Sequence, residues 1–77
     1  MALEIQLKLF ATLAKFQPSD PDHTPITEGE SVTQILERLG VPVKEVKLVF
    51  IDGVRKELSH VLKGGERVGI FPPVGGG

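Results

Sequence analysis

The sequence predicts an α+β fold in which one helix covers a single mixed sheet of four to five short strands. Three observations indicate this: an alternating apolar segment near the N-terminus, one helix with signals at both ends, and an Asp-Gly pair between two extended segments. A chain of 77 residues has room for one domain. A lone helix buries its apolar side by covering one face of a sheet.

The first predicted strand spans residues 3–9. Its apolar residues alternate with polar ones, so one face of the strand is expected to be buried: Leu3, Ile5, Leu7 and Leu9. Residues 17–22 are rich in turn formers and predict an irregular connection. Residues 24–27 predict a short antiparallel return strand. Pro25 places that strand at the sheet edge, because proline cannot donate a ladder hydrogen bond.

The clearest element is a helix over residues 31–39. Ser31 and Gln34 have the spacing of a capping box, in which each side chain bonds the other residue's backbone N–H. Gly40 can adopt the left-handed conformation after the last turn, and Pro42 prevents continuation. Apolar residues at helical spacing form the predicted buried side: Val32, Ile35, Leu36 and Leu39.

The C-terminal half predicts three more strands, over residues 46–51, 54–58 and 67–71. Asp52-Gly53 is a strong signal for a two-residue hairpin, and Pro72 ends the last strand. The resulting order, β-β-α-β-β-β, fits a right-handed crossover through the helix and is the pattern of a β-grasp, or ubiquitin-like, fold. We expect residues 1–71 to form this domain and residues 72–77 to form a flexible tail.

Composition excludes several classes of function. The chain has no cysteine, which excludes disulfides and thiolate metal sites. Nine basic and ten acidic residues occur without a block of one sign, which argues against a nucleic-acid or anionic-membrane surface. No signal peptide and no membrane-spanning segment are recognisable, so a cytoplasmic protein is expected. His23 and His60 lack a nearby ligand set, and no metal site is predicted.

The C-terminal segment, residues 71–77, reads Phe-Pro-Pro-Val-Gly-Gly-Gly. Two prolines favour an extended path away from the domain, and three glycines contribute little to a fold. A backbone without side chains, ending in a carboxylate, can enter a narrow channel in a partner protein. The glycines alone would favour a functionless end, but together with the Pro-Pro-Val segment and the predicted fold they predict a reactive tail.

Strand alternation also predicts a docking surface. If Val49 and Ile70 face the helix, an apolar patch lies on the opposite side of the sheet, and such a patch is typical of a protein interface: Leu48, Phe50, Gly69 and Phe71. A register shifted by one residue would instead place these residues in the core. Arg55, Lys56 and Arg67 could form a charged rim, or simply be solvated.

The ending resembles that of the ubiquitin-like sulfur-carrier family, which includes the small subunit of molybdopterin synthase and the thiamine-pathway sulfur carrier. The resemblance covers nearly the whole chain in length and element order. Its most specific part is the final Phe-Pro-Pro-Val-x-Gly-Gly pattern, in which Gly76 and Gly77 match the obligatory pair and Gly75 takes the variable position. Leu9-Phe10-Ala11 is also similar to the molybdopterin branch.

The resemblance implies that the Gly77 carboxylate is adenylated by a ubiquitin-activating-type adenylyltransferase and converted to a thiocarboxylate. ATP would be used by that partner, with no cofactor bound to this chain and no catalysis by the chain alone. The tail would then enter a larger synthase subunit, or another sulfur-acceptor enzyme. Gly76 would belong with Gly77 to the reacting end, and the partner would bind the preceding tail residues: Pro72, Pro73, Val74 and Gly75.

Three alternatives remain open from the sequence. The acceptor pathway could be thiamine or amino-acid synthesis instead of molybdopterin synthesis. The chain could be a ubiquitin-like modifier that is joined to target proteins through Gly77. It could also be an interaction domain with an idle tail.

Overall fold

The computed structural model describes residues 3–73. Its strands are β1 (Leu3–Leu9), β2 (Thr24–Ile26), β3 (Leu48–Ile51), β4 (Val54–Lys56) and β5 (Arg67–Phe71), and its α-helix, α1, spans Val32–Arg38. The five strands form one mixed sheet in the order β2-β1-β5-β3-β4. This arrangement confirms the predicted β-grasp fold.

Strand β1 lies inside the sheet, antiparallel to β2 and parallel to β5. Its alternation has the predicted effect, because Ile5, Leu7 and Leu9 are buried while the polar residues between them are exposed. Pro25 is exposed on the edge strand β2, as expected for a residue that cannot donate to a ladder. Parallel neighbours require a long crossover, and here α1, β3 and β4 separate β1 from β5 along the chain.

Helix α1 begins at the predicted capping box. The Gln34 backbone N–H donates to Ser31 Oγ (3.2 Å), and the Ser31 N–H donates to Gln34 Oε1 (2.8 Å). Gly40 follows the helix with φ of 79°, the left-handed conformation predicted for it. The helix packs on the inner face of the sheet, and the buried core comprises Ile5, Leu7, Leu9, Leu13, Ile26, Val32, Ile35, Leu36, Val41, Val49, Ile51, Leu62, Val68 and Ile70. No helix within residues 3–73 is long and apolar enough to cross a membrane.

β2 ends one residue earlier than expected, at Ile26, and two strand ends differ from the sequence-based expectation by two residues. β3 begins at Leu48 because the Val46 N–H donates to the Val43 carbonyl (3.0 Å) and closes a 3-10 turn. β4 ends at Lys56 because the chain turns towards the start of α1. There the Leu58 carbonyl accepts hydrogen bonds from the Thr33 backbone N–H and hydroxyl, both at 3.0 Å.

An unpredicted 3-10 turn over Ala11–Phe16 brings Gln17 back to β1, beyond the point where β2 ends. The Leu9 N–H donates to Gln17 Oε1 (2.8 Å), and Gln17 Nε2 donates to the Leu7 carbonyl (2.6 Å). The side-chain amide therefore pairs with the backbone of β1 as a neighbouring strand would.

We expect Gln17→Ala to lower the free energy of unfolding by about 1–3 kcal/mol, because it leaves two backbone groups of β1 without partners. Urea denaturation followed by circular dichroism measures the change. Gln17→Glu is a matched variant that keeps the acceptor for Leu9 and loses the donor to Leu7. Wild-type stability in both variants would show that water replaces the amide without cost.

An ion pair between the buried Glu30 and the exposed Arg38 connects the loop before α1 to the helix. Arg38 donates from Nε to Glu30 Oε2 (3.1 Å) and from Nη2 to Glu30 Oε1 (3.2 Å), and the Thr27 N–H donates to the same carboxylate (2.9 Å). Burial acts to raise the pKa of Glu30, but the hydrogen bonds and charge of Arg38 and the bonds from Thr27 outweigh it. The pKa of Glu30 is therefore lowered from its ordinary value.

We expect Glu30→Gln to lose about 1–3 kcal/mol of stability at neutral pH, because it removes charge-assisted hydrogen bonds. A carboxylate with a lowered folded-state pKa stabilises the fold above the unfolded-state value of about 4.3, and this contribution is lost as the pH falls through the folded-state pKa. Urea unfolding at a series of pH values should show a shallower acid dependence for Glu30→Gln than for wild type. Equal acid slopes would contradict this role of Glu30.

Candidate docking face and tail root

The four predicted interface residues lie on one face of the sheet, opposite α1. Leu48 pairs with Phe71 and Phe50 pairs with Gly69 across the antiparallel β3–β5 ladder. Directly paired residues share a face. Their strand neighbours Val49, Ile51, Val68 and Ile70 are buried in the core, so the register is the one expected. We call this side of the sheet the outer face, and its role in binding stays a prediction.

Three phenylalanine rings cluster on the outer face. The rings of Phe10 and Phe71 are stacked, with centroids 4.3 Å apart and planes inclined by 3°. The Phe50 ring meets Phe71 edge to face at 5.6 Å. Sequence reasoning did not assign Phe10 to this surface, although it continues the alternation of Gln6 and Lys8 and could have been found that way.

Gly69 makes room for the rings. A Cβ atom placed on it would lie 3.4 Å from Cε1 of Phe71 and 3.5 Å from Cε2 of Phe10, so the two rings occupy the space above the glycine. The result is a shallow depression of about 380 Å³ between the aromatic cluster and neighbouring polar side chains, lined by Gln6, Lys8, Phe10, Phe50, Arg67 and Phe71 among others. We call it the aromatic depression.

The end of β5 is held from both sides. The Phe10 N–H donates to the Ile70 carbonyl (3.1 Å), and the Lys47 N–H donates to the Phe71 carbonyl (2.8 Å). Pro72 is half-buried and Pro73 is exposed, so the described chain ends at an exposed residue two positions after Phe71 of the aromatic depression. The roles predicted for Val74, Gly75, Gly76 and Gly77 concern positions outside the described residues and stay predictions.

The cations of the outer face differ in part from the predicted rim. Arg55 pairs with Phe50, and Arg67 pairs with Gln6, so both lie on this face. Lys56 pairs with the buried Val49 and therefore lies on the other side of the sheet, contrary to its predicted place in the rim. Lys8, which sequence reasoning did not assign to the rim, pairs with Gly69 and lies on the outer face.

The two histidines and the aspartates of the connection between β1 and β2 do not line the aromatic depression. His23 Nδ1 is 3.2 Å from Asp20 Oδ1, and this hydrogen bond together with the charge of Asp20 raises the pKa of His23. Asp22 belongs to the 3-10 turn Pro21–His23, consistent with turn chemistry. Among the residues that the structure describes, no group of three potential metal ligands comes together.

Comparison with known proteins bears on the fold and the family. The family model described as Mut7-C ubiquitin matches residues 2–75. No curated protein sequence is similar enough to match the chain. Three solved Haloferax volcanii structures are similar at low sequence identity, which supports the fold.

The solution structure of the Haloferax volcanii HVO 2177 protein is 24% identical, with a TM-score of 0.73 over 99% of this chain and 88% of that one. A crystal structure of H. volcanii small archaeal modifier protein 1 is 22% identical, with a TM-score of 0.69 over 94% of this chain and 99% of that one. A crystal structure of SAMP1 from Haloferax volcanii is 23% identical, with a TM-score of 0.65 over 92% of this chain and 96% of that one.

Proposed function

This chain belongs to the Mut7-C ubiquitin family, and from that premise we propose that it is a sulfur-carrier protein that other enzymes load and unload at Gly77. The supporting observation is that Phe71 belongs to two features at once. Its ring forms part of the aromatic depression, and its carbonyl, which accepts a hydrogen bond from the Lys47 N–H, is the last hydrogen-bonded backbone group within residues 3–73. A partner that covers the depression therefore also receives the chain that leaves it.

The proposed chemistry begins with a carboxylate, which is an anion at neutral pH and a poor electrophile. An activating adenylyltransferase joins the Gly77 carboxylate to the α-phosphorus of ATP and releases pyrophosphate. Hydrosulfide then attacks the carbonyl carbon of the acyl-adenylate, AMP leaves with the carbonyl–oxygen bond broken, and a proton is released. The product is a thiocarboxylate. This chain supplies the docking surface and the unhindered terminal carbonyl, while the partner supplies ATP and catalysis.

The length of the tail is sufficient for a reaction that takes place inside the docked partner. Six residues from Pro72 to Gly77 span at most about 20 Å when extended, since each residue adds about 3.3–3.6 Å. A neighbour docked on the aromatic depression can therefore take the terminal carbonyl into its own interior. The proposed site of these events is the cytoplasm, where ATP and sulfur donors are available to the partner.

For the sulfur acceptor we propose the larger subunit of a molybdopterin or tungstopterin synthase. The proposal depends on the Phe-Pro-Pro-Val-x-Gly-Gly ending, in which Phe71 to Val74 and the pair Gly76-Gly77 match the pattern of that branch. Thiamine and amino-acid synthesis are the alternatives within the same chemistry. Adding purified large subunit and a pterin precursor to the thiocarboxylate form distinguishes them, because only the matching acceptor removes the sulfur.

A second candidate function is protein modification, in which Gly77 is joined to lysines of target proteins. It is favoured by the likeness to a protein whose name is small archaeal modifier protein 1, which this chain resembles in fold at 22% identity. Both candidates share the adenylation step. They differ in the nucleophile, which is sulfide in one and a lysine amine in the other.

The test is intact-mass spectrometry of the chain after incubation with the activating enzyme, ATP and a sulfide donor. We expect a mass gain equal to the replacement of one oxygen atom by sulfur. A ladder of heavier conjugates with target proteins would favour modification. An unchanged mass, with the activating enzyme active on another carrier, would refute both candidates.

A further inference from the structure

We propose that the outer face docks an acidic protein segment, with an apolar side chain seated in the aromatic depression and carboxylates that reach Lys8, Arg55 and Arg67. This inference extends the proposed function, and it rests on that function only in equating the docked partner with an enzyme that acts on the tail. The docking itself is argued from the outer face and is tested separately.

Three cations lie at the border of the aromatic depression or beside it. Lys8 and Arg67 border the depression, and Arg55 lies beside Phe50 on the next strand. Across residues 3–73 the ion pairs are Glu30–Arg38 and His23–Asp20, so none of these three cations forms an ion pair with a described carboxylate.

Two carboxylates of this part of the sheet, those of Asp52 and Glu4, are not in the lining of the depression. Asp52 accepts a hydrogen bond from the Arg67 backbone N–H (3.0 Å). Glu4, on the same face, pairs with Pro25 at the far end of β1, away from the aromatic rings. The depression therefore combines an apolar floor with two cations in its lining, Lys8 and Arg67, and an acidic surface is complementary to these.

The distance between the cations of the outer face sets the spacing of acidic residues that a bound segment needs. Arg55, Phe50, Gly69 and Lys8 form one row across β4, β3, β5 and β1. Neighbouring strands lie about 4.8 Å apart, so the two cations at the ends of the row are separated by about 14 Å at their backbones. An extended segment rises about 3.3 Å per residue. Acidic residues about four positions apart, with an apolar residue between them, therefore match the row.

The charges and the ring stacking of the outer face argue against two other binding partners. A second copy docked through the same face would bring Lys8, Arg55 and Arg67 against like charges, which is unfavourable. A single-stranded nucleic acid would need open ring faces for stacking. The faces of Phe10 and Phe71 are instead stacked on each other. The chain also carries a net charge of −1. An acidic polypeptide with an apolar side chain fits both the apolar floor of the aromatic depression and the cations of the outer face.

The test is selection of a displayed random-peptide library against the folded chain, followed by fluorescence anisotropy of the selected peptides. We expect enriched peptides to carry Asp or Glu on both sides of Leu, Ile or Phe, and their binding to weaken with added salt. Arg67→Glu and Lys8→Glu should each weaken binding by about tenfold or more, as the loss of an interfacial charge pair does.

Lys56→Glu is the matched control. It changes the net charge by the same amount on the same hairpin as Arg55, but on the opposite side of the sheet. It should leave peptide affinity within about twofold of wild type, since only distant charges change. Equal losses in Lys56→Glu and Arg67→Glu, or enriched peptides without acidic residues, would overturn the proposal.

Two further measurements would identify a different binding partner for the outer face. Labelled single-stranded RNA that binds at physiological salt through Phe50 and Phe71 would replace the peptide with a nucleic acid. Sedimentation equilibrium that shows a dimer abolished by Phe50→Ala would replace it with a second copy. The peptide assay involves neither Gly77 nor ATP, so failure of tail loading leaves its result unaffected. Circular dichroism of each variant confirms that the fold is retained.

Discussion

The Gly77→Ala variant is expected to fold like the wild type and to lose thiocarboxylate formation by about a hundredfold or more. The added Cβ stands next to the carbonyl carbon that the nucleophile must approach, and a displacement of about 1 Å at a reacting centre can cost this much. The described core runs from Ile5 to Ile70, so the substitution leaves it unchanged. Intact-mass spectrometry measures the loading, and thermal denaturation measures the Tm.

Two further variants test the same prediction. One residue added after Gly77 moves the terminal carboxylate by up to about 3.5 Å and should also abolish loading. Val61→Ala, at an exposed position that pairs with Ser31 away from the outer face, should load normally. A large fall in Tm for Gly77→Ala would mean that the terminus contributes to the fold. Normal loading of the extended chain would contradict a terminal reaction site.

The Gly69→Leu variant should load at least about tenfold more slowly than wild type, because its side chain fills the aromatic depression, where we propose that a partner docks. A Cβ at this position already meets Phe71 at 3.4 Å and Phe10 at 3.5 Å, so the further carbons of leucine must push the stacked rings apart. The rate of pyrophosphate release with limiting activating enzyme measures the effect.

Gly69→Ala is the matched control for this prediction. Its Cβ lies at ordinary contact distance from the two rings, so they can stay stacked and the depression stays open. We expect its rate to fall by no more than about threefold, less than 1 kcal/mol. Equal rates for Gly69→Leu and wild type would show that the activating enzyme does not use this face. A change in KM with kcat retained would place the defect in docking.

The fold was predictable from the sequence because its main signals are local. The alternation of β1 depends on residues two apart, the capping box of α1 on Ser31 and Gln34, and the hairpin turn on Asp52-Gly53. Each signal acts within a few residues and agrees with the tertiary structure. The errors occurred at the start of β3, which follows the 3-10 turn closed by Val46, and at the end of β4, which depends on the distant hydrogen bonds between Leu58 and Thr33.

The candidate site was predictable in part for the same reason. Alternation along β3 and β5 placed Leu48, Phe50, Gly69 and Phe71 on one face, since neighbours on a strand point to opposite sides. Alternation along these two strands did not identify Phe10 or Lys8 as part of the site. Their positions beside Phe71 and Gly69 depend on the parallel pairing of β1 with β5. Nor did alternation separate Lys56 from Arg55, since that depends on how β4 aligns with β3.

The sequence by itself determined the element order, the helix and its caps, the apolar stripe of the outer face, and the Pro-Pro-Val-Gly-Gly-Gly ending that suggests chemistry at Gly77. Only the tertiary structure decided that Phe10 closes the aromatic cluster and that Lys8, Arg55 and Arg67 surround it. The physical reason is that side-chain direction along a strand is a local property. Which strands lie side by side, and in what register, is settled by burial of the whole core.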